Sequence, residues 1–484
     1  MDITPDEIKY QKLWFTPKPK KTYFTDMFYS ELLENRNSQQ KFYDEYFPTG
    51  HVINDPSVFP DIPIYDSKNN IVDFHKVNRI AVPYQKMSID IILAHLLGNK
   101  TQFADSTVGE NKAVLISQYK EYWEQKNMEV MRNKLIKSIL TVGDGAVLFY
   151  KKKNILNWKV LSFLDKEQIY VKNDKFGDMQ YFARYYSQNN GGTITSYCDI
   201  LDDTDYTTFV NAEGGWNILE SSPHGFLKIP VVYHLRKEGA FWTPAQELID
   251  DLEVMMSRLS EDNRTKSKAR LYIKTNDPDT VKTKSVGGTD LIVTGEGGDV
   301  KLLSGADIST QFKYEYEMLS DEIEKVLGFA FPKHKSSGDM PTTSMKLMFY
   351  PTERIVLQLI VDFAEMMDEI NDLFKFGMMA EHPEIMSQLL ALKVSATIKL
   401  FTPQDDASIS QMVGQALTYG QISVQTASEN TPVAANDEFK RIQDEEADAA
   451  AKEIAANIQI AKATPATVPN DATPAPASTK TAKP

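Results

Sequence analysis

Apolar residues recur at three- and four-residue spacing along three long stretches in the second half of the chain. In residues 243–267 the apolar stripe consists of Leu248, Leu252, Met255, Met256 and Leu259. A stripe with this period is typical of an α-helix that buries one face. Similar stripes in residues 306–327 and 345–379 predict two further helices.

The first of these helices has a defined start and a basic end. Thr243 is suited to cap it, Pro244 suits its first position, and Gln246 is able to return a hydrogen bond to the cap. Six basic residues follow: Arg258, Arg264, Lys266, Lys268, Arg270 and Lys274. Two interpretations stay open, a solvated helix end with favourable cations or a positive rim for an acidic partner or DNA.

A glycine-rich block separates the first two helices. Residues 271–274, 290–293 and 300–303 alternate apolar and polar side chains between glycines, which predicts a small β element. Closely spaced glycines are also found in phosphate-binding loops, but here no Gly-Lys-Ser/Thr follows and no helix begins at the cluster. The block is therefore interpreted as short strands and turns.

A polar loop, FPKHKSSGDMPTTS (residues 331–344), separates the second helix from the third and carries Lys333, His334 and Lys335. Ordering a loop costs conformational entropy, so a polar loop in the longest helical region indicates a segment presented to a partner. Pro351 lies inside the third helix and is expected to kink it or to end one piece of it.

Residues 1–240 mix helical and strand patterns. Apolar spacing predicts helices in residues 82–97 and 113–142. After residues 143–145 the pattern changes to short runs rich in Val, Ile, Phe and Tyr, which predict an antiparallel meander. The region is therefore expected to be α+β.

The chain ends in segments of decreasing apolar content. Residues 394–401 alternate like a strand, residues 405–419 read as a helix, and residues 436–463 form an acidic, Ala-rich helix pattern. Residues 463–484 consist mainly of Ala, Pro, Thr and Lys and are expected to stay disordered.

The composition of the chain excludes several classes of protein. A chain of 484 residues exceeds the length at which a single hydrophobic core keeps growing, so two or more packed regions are expected. The net charge of −14 argues against a general nucleic-acid-binding protein, which would need many basic residues to contact phosphates. It does not exclude a protein that lets DNA slide past it. The apolar stretches are too short for a membrane span, and the lone Cys198 and the polar N-terminus predict synthesis in a reducing cytoplasm.

The sequence contains no recognisable catalytic motif. The seven histidines form no HExxH, HxH or Cys/His zinc pattern, and there is no Gly-x-Ser-x-Gly motif. Cys198 lies in a strand-like region, where a structural thiol is expected rather than a nucleophile. No catalytic residue, cofactor or metal site is predicted.

Several segments, taken in order over residues 20–446, resemble one protein family. They are HGFLKIPVVYH (residues 224–234) before the first helix, IEKVLGFAFP (323–332), TSMKL (343–347), and GQISVQT (420–426) followed by residues 437–446. Their order resembles the portal proteins of tailed bacteriophages, which form the ring at the capsid vertex.

The resemblance implies an α+β, mainly helical, portal-type subunit. Its expected parts are an N-terminal α/β wing (1–240), a first stem helix (241–268), a small β-containing clip (269–305), a second stem helix (306–328), a tunnel loop (329–344), a long kinked helix (345–379), a wing return and helical crown (380–446), and an Ala/Pro-rich, largely disordered tail (447–484). In a ring, a neighbouring subunit would also cover apolar positions of the long helix that one subunit leaves open.

The resemblance also implies the function and the partners. Such a protein is a homo-oligomeric ring, usually a dodecamer, around double-stranded DNA during packaging and ejection. It docks the terminase large subunit and a head-completion or adaptor protein, and it meets the major capsid and scaffolding proteins. The expected location is the capsid vertex of the virion, after synthesis in the cytoplasm of the host bacterium, with no enzymatic activity and no membrane.

Within this frame Lys333, His334 and Lys335 are candidate DNA contacts in the tunnel loop. The basic residues Arg264, Lys266, Lys268, Arg270 and Lys274 are the candidate clip or DNA rim. Each phosphate that Lys or Arg neutralises adds affinity for DNA, and tight binding would hinder sliding. An acidic subunit with few basic residues is therefore compatible with DNA that slides through the ring. Solvent-exposed loop lysines without a DNA role remain the alternative, as do a minor capsid or scaffold-like protein without a closed ring and a nucleic-acid enzyme.

Overall fold

The computed structural model describes residues 36–463, apart from residues 37, 67, 106–111, 213–214, 227, 267–269, 275–281, 287–288, 294–298, 304–308, 330–341, 402–405 and 432–437. Around the gaps, some residues are described by their backbone alone. The chain divides into two compact units, Met1–Thr402 and Pro403–Pro484.

Helices and strands are both abundant, which confirms the α+β class. In chain order the helices are α1 (Tyr84–Leu97), α2 (Lys112–Gln125), α3 (Met128–Val142), α4 (Gln246–Lys266), α5 (Ser309–Leu327), α6 (Thr342–Asp362), α7 (Ala364–Glu381), α8 (Met386–Ala391), α9 (Asp406–Thr418), α10 (Val424–Asn430) and α11 (Glu438–Ala463). Residues 38–46 are also helical.

The strands fall into small antiparallel sheets. They are β1 (Ile62–Tyr65), β2 (Ile71–His75), β3 (Gln102–Asp105), β4 (Asp144–Lys152), β5 (Ile155–Leu161), β6 (Gln168–Asn173), β7 (Met179–Asn190), β8 (Thr193–Leu201), β9 (Asp205–Ala212), β10 (Gly215–Pro223), β11 (Val231–Leu235), β12 (Arg270–Lys274), β13 (Lys282–Val286), β14 (Thr289–Val293), β15 (Asp299–Leu303) and β16 (Val394–Thr397).

The predicted helix over residues 113–142 is two helices, α2 and α3. Asn127, between them, has φ of 52°, a left-handed conformation that a continuous helix excludes. The helix α3 ends at Gly143, whose φ of 87° favours glycine and whose N–H donates to the carbonyl of Ile139. The strand β4 follows at once, so the predicted change from helix to meander is confirmed.

The meander forms two sheets that share a core. One sheet has the order β11-β4-β5, and the other has the order β10-β9-β8-β7-β6. Ala146 and Leu148 of the first pack with Ile169, Phe182 and Leu201 of the second. A larger apolar cluster joins α1–α7 to the inner face of β4 and β5, so the helices and the sheets form one unit.

The helix, strand block and second helix predicted from residue 243 are confirmed as α4, β12–β15 and α5. A short 3₁₀ turn, Thr243–Ala245, precedes α4. The strand β12 pairs with β15, and β13 pairs with β14, both antiparallel. Two nested strand pairs thus connect the end of one long helix to the start of the other.

The long third helix breaks at a different residue from the one predicted. Pro351 lies inside α6 and does not end it, and the break falls at Phe363, between α6 and α7. The neighbours of Pro351 are held by packing, since Thr352, Val356 and Leu359 are all buried. This packing offsets the hydrogen bond that proline cannot donate.

The chain returns to its N-terminal half after α7. The strand β16 pairs antiparallel with β3, so that Val394 lies opposite Asp105 and Thr397 opposite Gln102. In the second unit, α11 continues to Ala463, so the expectation of a largely disordered tail from residue 447 is wrong for residues 447–463. The repeated alanines of this segment favour helix. Residues 464–484 lie outside the described residues.

Within the described residues, no helix combines the length and the apolar character needed to cross a membrane. The same part of the chain holds no group of three or more His, Cys, Asp or Glu side chains arranged to bind a metal ion.

Candidate functional site

The tunnel-loop residues Lys333, His334 and Lys335, together with Lys268 of the rim, lie outside the described residues. Lys266 and Arg270 are described by their backbone alone, at the end of α4 and the start of β12. Lys274 is exposed at the end of β12. Lys266 and Arg270 therefore both lie at the junction of α4 with the β element, on either side of residues 267–269.

The guanidinium group of Arg264 is held by the N-terminal part of the chain. Its Nη2 atom donates to the carbonyl of Lys76 at 2.6 Å and contacts the ring of His75. The same atom lies 3.3 Å from Oε2 of Glu261, one turn earlier on α4. Arg264 thus has a structural role in addition to the rim role predicted for it.

An extended segment, residues 76–82, runs along α4 and is bound by side chains of that helix. The backbone N–H of Asn78 donates to Glu261 Oε2 at 3.4 Å, that of Ile80 to Ser257 Oγ at 2.9 Å, and that of Val82 to Glu253 Oε1 at 2.7 Å. Two residues of extended chain and four residues of helix both advance about 6 to 7 Å. Because these distances match, every second backbone amide of residues 76–82 can donate to every fourth side chain along α4.

Two histidines from distant parts of the chain meet the same face of α4. His51 Nδ1 lies 2.6 Å from Glu253 Oε1, and both side chains are almost fully buried. His75 Nε2 lies 2.6 Å from Glu261 Oε1 in a more open position. Burial alone would raise the pKa of Glu261, but hydrogen bonds from His75 and the Asn78 amide, with the charge of Arg264, lower it overall.

The sequence pattern did not predict the binding of residues 76–82 to α4. Within α4 the spacing of Glu253, Ser257 and Glu261 is visible as a polar stripe. A polar stripe is normally interpreted as a solvated helix face, and the extended partner lies more than 170 residues earlier in the chain. The only sequence signal was the four-residue spacing of hydrogen-bond acceptors.

The N-terminal end of the predicted tunnel loop is fixed by contacts between α5 and α6. Gly328, with φ of 67°, ends α5, and the N–H of Phe329 bonds back to the carbonyl of Glu324 at 3.0 Å. Thr352 Oγ1 of α6 donates to the carbonyl of Gly328 at 3.2 Å. A side chain at position 328 would collide with Ile355, so glycine is needed for this close approach.

A groove of about 580 Å³ runs between α4 and α5. It is lined by the apolar side chains of Val254, Met255 and Phe312 and by the charged groups of Asp251, Arg258, Asp262 and Glu315.

Cys198 has the environment of a structural thiol. It is buried on the face of the five-stranded sheet beside Phe209 and Trp216. Burial, with a smaller contribution from the charge of Asp199, raises the pKa of the Cys198 thiol to about 12. A thiol with so high a pKa is a poor nucleophile at neutral pH.

Comparisons with known proteins give one extended match. The sequence model of a family described as phage portal protein, SPP1 Gp6-like, matches residues 52–452. No curated protein sequence matches the chain.

Two solved structures of gene transfer agent (GTA) particles are similar at a low level. A chain from the neck of an empty particle, computed with C6 symmetry, shares 10% identity over 74% of this chain and 88% of that chain, with a TM-score of 0.40. A chain from the virion of a native particle shares 11% identity over 70% of this chain and 86% of that chain, with a TM-score of 0.38. TM-scores this low do not establish a shared fold.

Proposed function

The chain belongs to the SPP1 Gp6-like family of phage portal proteins, and from that membership we propose that it assembles into a ring at the capsid vertex through which the viral genome is packaged and ejected. The family is structural. A dodecamer is the proposed ring size, and double-stranded DNA is the proposed occupant of the central channel.

The order of elements is the observation that carries this proposal. The helix α4, the strand block β12–β15, the helix α5 and the helix α6 follow one another as a portal stem, clip and long helix would. The return of the chain through β16 to β3 supports a wing built from both ends of the first unit. We assign residues 1–240 to the wing, α4 and α5 to the stem, and residues 269–305 to the clip.

We further propose that the clip is the docking platform for the terminase large subunit and later for the head-completion or adaptor protein. Arg264, Lys266, Lys268 and Arg270 follow one another in sequence across the junction of α4 with β12, and Lys274 lies at the other end of β12. A run of cations along this segment suits an acidic partner surface or the DNA backbone. The major capsid and scaffolding proteins are the proposed neighbours of the wing.

The tunnel loop, residues 329–344, is the proposed contact with DNA. Its N-terminal end is fixed where Gly328 meets α6, so the loop has a defined origin. Lys333 and Lys335, with His334 between them, would give each subunit a small number of exchanging phosphate contacts. Sparse contacts are needed because each neutralised phosphate adds salt-sensitive affinity that would slow sliding.

Replacing both loop lysines tests the proposed DNA contacts. In the double variant Lys333→Ala/Lys335→Ala, rings should form normally while the amount of packaged DNA falls several-fold. The variant Lys333→Arg/Lys335→Arg should package normally, because the charge is kept. The matched control Lys153→Ala/Lys175→Ala removes two exposed lysines outside the loop. Normal packaging by the first variant would reject the loop contacts.

A further inference from the structure

The groove between α4 and α5 leaves apolar side chains open to water. Its apolar lining consists of Val254, Met255, Leu259, Phe312, Met318 and Leu319. Met318 is 48% exposed, and Phe312 and Leu319 are only partly buried. Apolar side chains of an occupant would remove this surface from water, which favours binding.

The charged side chains of the groove are mainly acidic. Asp251, Asp262 and Glu315 line it together with one cation, Arg258, so its net charge is −2. Asp251 and Glu315 are exposed and form no ion pair with the described residues. One turn before Asp251, the exposed Glu247 adds a further carboxylate. An occupant that matches this groove is therefore both apolar and basic.

Residues 8–24 of the chain have this composition. The segment reads IKYQKLWFTPKPKKTYF and holds five lysines with no Asp or Glu, a net charge of +5. Its central apolar residues Leu13, Trp14 and Phe15 have lysines on both sides. The acidic residues of the N-terminus lie outside the segment, at positions 2–7 and 26–34. Residues 1–35 precede the described part of the chain.

The other segments outside the described residues do not combine aromatic side chains with an excess of lysine. Residues 464–484 contain no Phe, Tyr or Trp, and residues 330–341 contain one, Phe331. Residues 8–24 contain five, together with the five lysines. Among these segments, residues 8–24 are therefore the best match to the groove.

The segment is long enough to reach the groove of its own chain. The helix at residues 38–46 ends beside the start of α4, where Trp242 Nε1 donates to Glu45 Oε2 at 2.9 Å. This helix is about 14 Å long, and the groove begins about 14 Å beyond Trp242, at Asp251. The chain from Phe15 to Arg36 spans up to about 70 Å when extended, which exceeds both distances together.

A second groove, of about 480 Å³, lies on α6 and offers a comparison. It is lined by the exposed apolar side chains of Tyr350, Leu357 and Val361. Its charged lining groups are Glu353, Arg354 and Asp362, so its net charge is −1. The α4–α5 groove is larger and more acidic, and it is therefore the better match to a segment with five lysines.

We propose that residues 8–24 occupy the α4–α5 groove of the same chain. Leu13, Trp14 and Phe15 pack against its apolar lining, and the neighbouring lysines pair with Asp251 and Glu315. The contact covers side chains that the described residues leave in water. It lies within one chain, so the inference does not depend on ring assembly.

Cross-linking within the full-length chain tests the contact directly. The native Cys198 is buried, so cysteines added on the surface are the reactive ones. In Thr16→Cys/Gln311→Cys, a short bismaleimide should link residues 16 and 311 within single chains at low protein concentration, because Gln311 lines the groove. In the matched control Thr16→Cys/Gln358→Cys, where Gln358 lines the groove on α6, the yield of the link should be several-fold lower.

Reversing the charges tests why the segment binds there. In the background with cysteines at 16 and 311, Lys20→Glu/Lys21→Glu should lower the yield of the link several-fold. Asp251→Lys/Glu315→Lys should do the same, because like charges then face each other. Combining the two pairs of substitutions should restore the link, since opposite charges meet again. Lys152→Glu, at an exposed lysine of β4, should leave the yield unchanged.

Three results would overturn the inference. One is the absence of the 16–311 link in chains with native circular dichroism, and another is an equal yield from the Gln358→Cys control. The third is a link found in covalent dimers alone, which would show that the segment binds another copy. Chymotrypsin cleavage at Trp14 and Phe15 that is suppressed only after duplex DNA is added would identify DNA as the partner instead. Ring formation is measured separately, so these results leave the portal assignment standing.

Discussion

Asp144 is a carboxyl group buried where α3 ends and β4 begins. Gln39 Nε2 lies 2.9 and 2.8 Å from its two oxygens, and the hydroxyl of Tyr233 lies 3.4 Å from Oδ2. Burial raises the pKa of Asp144 to about 7, although the hydrogen bonds from Gln39 and Tyr233 act in the opposite direction. The contacts of this single carboxyl group therefore link the helix at residues 38–46 to the sheet.

The pH dependence of stability should show this buried carboxyl. Its ordinary pKa is 3.8, and the folded value is about 7. Because the folded pKa is the higher one, the stabilisation is complete below about pH 4 and is lost as the pH rises to about 7, by at most ~4 kcal/mol. Asp144→Asn should flatten this decline in thermal unfolding, while Asp73→Asn, at an exposed carboxyl, should keep the wild-type profile. Parallel profiles for Asp144→Asn and wild type would contradict the assignment.

At the scale of elements, the joint between α5 and α6 sets the origin of the proposed tunnel loop. Gly328→Ala places a methyl group at φ of 67° against Ile355, and we expect it to destabilise the protein by ~2–4 kcal/mol. Gly177→Ala is the matched control, because φ there is 99° but the space is open. Its expected cost is about 1–2 kcal/mol, from the positive φ alone. Chemical denaturation of both variants measures the difference, and equal losses would show that the joint is not close-packed.

The elements differ in how well the sequence predicts them. The start of α4 was predictable because the Thr243-Pro244 pair and the apolar stripe both act within one or two turns. The interruption at Phe363 was not predictable, because Pro351 is the stronger helix-breaking signal in the sequence. The helix continues past Pro351 because Thr352 and Val356 are buried by tertiary packing. Local chemistry therefore predicted where elements begin more reliably than where a long helix is interrupted.

At the scale of the whole molecule, the contacts that build the candidate surfaces are long-range. His51 meets Glu253 across 202 residues, and β3 pairs with β16 after a separation of nearly 300. No spacing pattern within the sequence encodes such pairs, so the binding of residues 76–82 along α4 was not predictable. The order of the helices and the strand block was predictable, because each part carries its own periodicity and turn residues.

Ring assembly is the central claim, and images of the purified full-length chain test it most directly. We expect electron microscopy, in the presence of the capsid and scaffolding proteins, to show closed rings with a central channel, and native mass spectrometry to give one dominant oligomer, the proposed dodecamer. Monomers or dimers alone at high concentration under the same conditions would contradict the account.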